Sequence, residues 1–173
     1  TKALQWLREH QLPDGSWGTD MPMYAHDRAA STLAAIAALR QSGTPPEAPE
    51  IRLARDAAAR YLQALKLDAC GSTVGFELIV PSLLQEVQAL GVRLDVDEDL
   101  LQHLIWARQA KLSALPDRKI DRRFTPSFSA ELVGQDHLHL LDPGNLQAEN
   151  GSVAFSPSAS AFFAKYVKPD EPD

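Results

Sequence analysis

The chain reads as an all-α protein, and three observations say so. Apolar residues recur at helical spacing along most of its 173 residues, alternating patterns of strand length are absent, and turn-forming prolines and glycines fall at the borders of the periodic segments. At 45% hydrophobic and 23% charged, the chain can bury a real core within one domain or part of a larger one.

The first helix is already under way in "TKALQWLREHQ" at 1–11. Because the chain opens there without a Met and stops at "KPDEPD" without a closing element, it is expected to be a fragment. The second helix, "HDRAASTLAAIAALRQ" at 26–41, is apolar and small nearly all round, as a helix buried between neighbours would be. The linker "SGTPPEAP" ends it, since proline removes donors and fixes φ. The third, "EIRLARDAAARYLQALKL" at 50–67, carries one apolar stripe of Ile51, Ala54, Ala58, Tyr61, Leu62 and Leu65. Arg52, Asp56 and Arg60 are spaced for ion pairs on its other face, so it should lie outside. "PSLLQEVQALG" at 81–91 forms the next helix, with Pro81 in its first turn and Gly91 as a left-handed C-cap. A further helix runs from about Asp97 to Ala110. From Pro116 to Pro143 the chain is broken and polar, with short helical pieces at best, and "SPSASAFFAKYV" closes it with Ser156 as cap and Pro157 at the first helical position.

A formal net charge of −6 without a Lys/Arg block argues against nucleic-acid binding, which needs clustered cations against phosphates. The one basic group, Arg118, Lys119, Arg122 and Arg123, reads as a solvated loop. Cys70 is the only cysteine, so no internal disulfide and no Cys-based zinc site can form. With no signal peptide and no apolar run near the ~18 residues of a membrane span, a cytoplasmic protein is expected.

An internal repeat adds organisation. "QLPDGSWG" at 11–18 precedes the helix containing "STLAAIAAL", and "QAENGSVAF" at 147–155 precedes "SPSASAFFA". Each has Gln, two spacers, Asp or Asn, then Gly and Ser, and repeats of such a unit suit stacked helix pairs. In the first copy the residues call for structure rather than chemistry. Asp14-Gly15 makes a tight turn, Gln11 can bond backbone groups at a helix end, Ser16 follows the turn, and Trp17 supplies a large flat apolar surface.

This motif resembles the Gln-Trp motif Q-x-x-D-G-S-W-G of the class II terpene cyclases. Further segments extend the resemblance in order along the chain: "HDRAASTLAAIAAL" at 26–39, "VGFELIVPSLLQE" at 74–86, "AKLSALP" at 110–116 and "NGSVAFSPSASAFF" at 150–163. They are most similar to the γ domain of class II diterpene cyclases of the copalyl diphosphate synthase type, in a bacterial form. The resemblance implies an α/α double barrel, with 1–173 as a γ-type domain and the catalytic β domain outside this chain. It implies conversion of geranylgeranyl diphosphate to a copalyl diphosphate, started by the middle Asp of a D-x-D-D motif in the β domain, with Mg2+ assisting diphosphate binding. By itself the fragment is expected to be inactive. A lobe of a squalene- or hopene-type cyclase and a non-catalytic helical binding module are the rival readings.

Among single residues, Asp95-Val96-Asp97-Glu98 in "LDVDEDL" approximates D-x-D-D without its final Asp, and Asp99 closes the acidic run. They stand where an apolar periodic helix begins, and capping and dipole stabilisation explain them. Lys111 matches a lysine that the resemblance places on the substrate diphosphate; the alternative is a helix-terminal lysine facing carbonyl dipoles. Where plant-type γ domains carry an acidic motif before G-F-E, this chain keeps only Asp68, and Ala130 falls at the position of a histidine of the plant base dyad. His137 and His139 lack a third ligand and read as surface residues, while His26, Asp27 and Arg28 read as a helix-start cap that fixes a loop. No residue in the chain is expected to hold a metal or to be catalytic.

Overall fold

The computed structural model describes residues 1–19, 24–65 and 75–168. Asp68 and Cys70 lie outside them. Among the described residues there are helices and loops, with pairing between extended segments limited to two isolated bridges, Ile120 with Leu141 and Gln147 with Val153. No helix there is long and apolar enough to cross a membrane.

The chain divides into two compact units, Thr1–Arg108 and Gln109–Asp173. The first unit is built on α1 (Lys2–Glu9), α2 (Ala25–Gln41), α3 (Pro49–Ala64), α4 (Phe76–Ala89) and the start of α5 (Glu98–Ser113). Helix α2 is its centre and packs against both α3 and α4. Ala29, Leu33, Ile36 and Leu39 of α2 are sealed from solvent, which is why this helix has no polar face to speak of. In α3, Ile51, Ala54, Ala58 and Leu62, with Leu65 at the C-cap, bury one stripe as their spacing predicts, with Tyr61 half-buried beside it. The other face pairs differently from expectation. Asp56 takes its neighbour Arg55 at 2.8 Å, and Arg60 reaches back to the carbonyl of Asp14 at 2.9 Å. The side chain adjacent in sequence and the turn beneath the helix offer closer partners than the i±4 positions.

Helix α4 begins five residues before Pro81, which therefore lies inside it rather than in its first turn. Gly75, at φ 79°, starts the helix, and Phe76 and Val80 are buried, so apolar burial outweighs the one backbone donor that the proline removes. At its far end Gly91, at φ 84°, follows the C-cap. The Val92 amide bonds Val87 O at 3.1 Å and the Gly91 amide bonds Gln88 O at 3.0 Å, the paired bonds of a Schellman motif. Helix α2 ends the same way through Gly43 and Thr44. Arg40 then ties both ends together, donating to Leu90 O at 2.8 Å through Nε and also to Thr44 O.

The second unit has its own core of Ile120, Ala130, Val133, Leu141, Leu146, Val153, Ala159 and Phe163. The broken stretch supplies two 3-10 segments, Thr125–Val133 and Gln135–Leu140. The closing α6 (Pro157–Phe162) starts with Ser156 Oγ accepting the Ala159 amide, and runs into a π-turn at Phe163–Val167.

Candidate functional site

The turn at 11–17 is dense in polar contacts, and each follows from a residue type the sequence displays. Asp14 folds its carboxylate over the turn, where Oδ1 accepts from the Ser16 amide at 3.0 Å and the Ser16 hydroxyl at 2.7 Å. Leu12 and Ser16 close the loop through a 2.9 Å backbone bond. Gln11 Nε2 bridges two carbonyls, Gly15 at 3.0 Å and Glu50 in the first turn of α3 at 2.9 Å. Gly15 is required twice over: its φ is 89°, and a Cβ there would stand 2.5 Å from Leu53 O. Trp17 is 4% exposed, with its amide on Thr32 Oγ1 at 3.0 Å and its indole Nε1 on Leu7 O at 2.8 Å.

Arg28 and Tyr61 complete this network, and sequence reasoning did not assign either to it. The Arg28 guanidinium, 3% exposed, donates to Ser16 Oγ at 2.6 Å and Thr19 O at 2.9 Å, and lies 3.9 Å from Asp14. The Tyr61 hydroxyl donates to Asp14 Oδ2. Arg28 and Thr32 are four apart on α2, so spacing puts them on one face; only the packing shows that this face meets the turn. Burial opposes ionisation of Asp14, but hydrogen bonds from Tyr61 and Ser16, with the charge of Arg28, outweigh it and hold the carboxyl below the usual range. The bond to Asp14 raises Tyr61 in return.

His26 and Asp27 correct an expectation. The start of α2 has no side-chain cap, and Asp27 instead fixes the loop by accepting the Thr19 amide at 3.0 Å. The His26 ring meets Phe76 edge-on at 4.8 Å, and burial lowers its basicity.

The acidic stretch is a helix start. Asp97 Oδ1 accepts the Leu100 amide at 2.9 Å at the head of α5, while Asp95, Asp97, Glu98 and Asp99 are all exposed. Lys111 sits exposed in the last turn of the same helix. It stands in the second unit, and none of the residues of the 11–17 turn belongs to that unit. His137 and His139 have their rings 5.7 Å apart, and His137 pairs with Asp136 at 3.0 Å. Among the described residues no three His, Cys, Asp or Glu side chains could hold a metal ion. Ala130 is fully buried in the second core.

The turn at 147–153 repeats the internal bonds of that at 11–17. Gln147 Nε2 donates to Gly151 O at 2.9 Å, Asn150 Oδ1 accepts from the Ser152 amide at 3.1 Å and hydroxyl at 2.8 Å, and the Ala148 amide bonds Ser152 O at 2.8 Å. The Val153 amide finds Ser160 Oγ at 2.9 Å, as Trp17 finds Thr32.

No protein-family model matches the chain. A type B diterpene cyclase of Mycobacterium tuberculosis is 43% identical over 175 residues, covering 98% of the chain and 35% of that protein. A chloroplastic ent-copalyl diphosphate synthase of Zea mays is 35% identical over 161 residues, covering 92% of the chain and 19% of that protein. Among solved structures, the ent-copalyl diphosphate synthase of Arabidopsis thaliana matches with a TM-score of 0.76 at 28% identity, over 97% of the chain and 24% of the other. The abietadiene synthase of Abies grandis matches with a TM-score of 0.77 at 26% identity, over 97% of the chain and 22% of the other. The chain thus spans about a third of the bacterial relative and about a fifth of the plant one.

Proposed function

Since the chain belongs to the class II diterpene cyclases, with the all-α fold of that family, we propose that the protein it is part of converts geranylgeranyl diphosphate to a copalyl diphosphate. The observation that supports this most is the 43% identity to the mycobacterial diterpene cyclase along 98% of the chain. Residues 1–173 serve as the γ-type domain, and a β domain of the same polypeptide supplies the acid. A carboxyl group held neutral in a dry site protonates the terminal alkene, the carbocation closes two rings, and a base removes a proton, so that substrate and product are isomers and the diphosphate stays on.

This chain's own part is support and charge. The 11–17 turn braces α1, α2 and α3 through Leu7, Thr32 and Glu50, and the exposed Lys111 offers an ammonium to the diphosphate. Magnesium goes with this reading as a helper for the diphosphate. The described residues themselves do not fit an ion, having no cluster of three ligands. A cytoplasmic location also goes with it.

Mass spectrometry of products from the full-length protein, incubated with geranylgeranyl diphosphate in magnesium-containing buffer, tests the proposal. A retained-diphosphate bicyclic product is expected. Turnover of squalene with none of the diphosphate would shift the assignment to a triterpene cyclase lobe.

A further inference from the structure

Arg118, Lys119, Arg122 and Arg123 stand exposed on a stretch of the second unit whose backbone is tied down. The Ile120 amide bonds Leu140 O at 2.7 Å, the Asp142 amide bonds Ile120 O at 2.9 Å, and the Arg122 amide bonds Asn145 O at 3.0 Å, so 120–122 runs beside 140–145. Ile120 is buried in the core beneath. The guanidinium carbon of Arg118 lies 4.1 Å from the ring centroid of Phe124, which itself packs on that core. Four cations are thus displayed from a fixed backbone, which composition alone does not distinguish from a solvated loop.

No carboxylate pairs with them. Among the described residues none of the four makes an ion pair, and Asp121, the acid between them, turns Oδ1 to the Arg123 amide at 2.7 Å. Lys119 acts on Asp142 only at a distance, since that carboxylate is taken by Gly144 and Asn145. Residues 117–123 carry +2, four cations less two carboxylates, so the rest of a chain of −6 carries −8. Like charges held together in this way repel, and an anionic surface relieves the repulsion. An apolar contact is close by in the chain: Thr125 and Phe128, three apart in the 3-10 segment, share its exposed edge, and Phe128 is 60% exposed.

We propose that this edge of the second unit docks on a membrane containing anionic phospholipid, with the four cations on headgroup phosphates and the Phe128 ring in the interfacial layer. Contact is peripheral, since no described helix is long and apolar enough to cross a bilayer. Arginine suits the partner because its planar fork makes paired bonds to phosphate oxygens. With a screening length of about 8 Å at physiological salt, charge acts locally, so a basic edge docks even on a chain whose total is negative. The exposed ring, and the two acids among the cations, favour lipid over a nucleic-acid backbone, which needs a denser run of cations. The use of such docking rests on the proposed reaction: a prenyl diphosphate is an amphiphile that partitions into bilayers, where a docked enzyme meets it.

Flotation of the full-length protein with phosphatidylcholine vesicles containing about a third phosphatidylglycerol tests this. The protein should float with them at about 0.1 M salt, be released at about 1 M, and ignore vesicles of phosphatidylcholine alone. Each cation is worth roughly fivefold in partition, so Arg122→Gln with Arg123→Gln should weaken it about 25-fold, and Phe128→Ala should weaken it several-fold. No flotation of the unmodified protein, flotation indifferent to salt, or either variant within about twofold of the unmodified protein overturns the proposal. So does tighter binding to duplex DNA than to the vesicles, which would make a nucleic acid the partner. In vesicle-free solution the double variant should keep its KM for geranylgeranyl diphosphate; a rise of about 25-fold there would assign the cations to the substrate's own diphosphate and overturn the surface. Vesicle binding without any diterpene diphosphate product would keep the surface and remove only the substrate assignment.

Discussion

The indole of Trp17 serves two ends at once, its rings filling the core of the first unit and its N–H holding Leu7 O at the end of α1. Trp17→Ala is expected to destabilise the protein by about 3–5 kcal/mol, the usual loss for a buried large aromatic, and to lower turnover only as far as folding is lost. Thermal melting beside product formation checks this; loss of turnover at an unchanged melting temperature would contradict the structural role. Lys111 makes the opposite prediction. It is exposed in the last turn of α5 and outside both buried cores, whereas a charge-assisted contact to phosphate contributes about 1.5–3 kcal/mol. Lys111→Ala in the full-length enzyme should therefore raise KM roughly ten- to a hundredfold, by that same energy, at an unchanged melting temperature. An unchanged KM would leave Lys111 as a helix-end residue.

At the scale of elements, α5 shows what an acidic run is for. The Leu100 amide needs an acceptor, and Asp97 supplies one. Asp97→Ala should cost about 0.5–2 kcal/mol, while Asp97→Asn, which keeps an oxygen at the same place, should leave both stability and turnover of the full-length enzyme near normal. Turnover falling more than about a hundredfold in a folded Asp97→Asn protein would make this stretch the acid after all. Most elements were legible in advance because their signals are local: the buried α2, the striped α3, the Ser156 cap, the glycine that ends α4, the duplicated turn. The start of α4 was not legible, since proline at the sixth position reads as a beginning until one knows that Phe76 and Val80 are buried ahead of it and beside it. Nor were the roles of Arg28 and Tyr61. Their partners lie 12 and 47 residues away, and no spacing rule connects a helix face to a turn that tertiary packing brings beneath it.

For the whole molecule, the half-buried side chains whose titration folding shifts mark out a pH range of full stability. His26 is depressed by burial below its ordinary 6.5, so its contribution is complete above that value and is lost as pH falls through its folded pKa. Asp14 is depressed below 3.8 by the bonds that outweigh its burial, and its contribution is lost at still lower pH. Tyr61, raised above 10.0 chiefly by Asp14, adds stability that is lost as pH rises through its folded pKa. Melting temperature should accordingly be flattest between about 6.5 and 10, with a first acid decline that His26→Phe removes and a second, below about 3.8, that replacing Asp14 reduces. A His26→Phe protein with the same decline below 6.5 would show that this ring is not the group responsible. The acidic stretch gives the remaining expectation: its carboxylates are exposed and thus poor acids towards an alkene, so residues 1–173 by themselves should form no product from geranylgeranyl diphosphate, and any cyclisation would refute that.

The hydrogen bonds of Gln147, Asn150 and Ser152 have a consequence for protein engineering. They close a seven-residue segment on itself through its own side chains. The other copy of the motif, fastened to α3, is closed by the same internal bonds. A shape held by the same internal bonds in both copies is carried by the heptapeptide itself, which makes the segment a portable connector: it can be grafted between helices of an unrelated scaffold, asking of its host only a hydroxyl placed to receive its last amide.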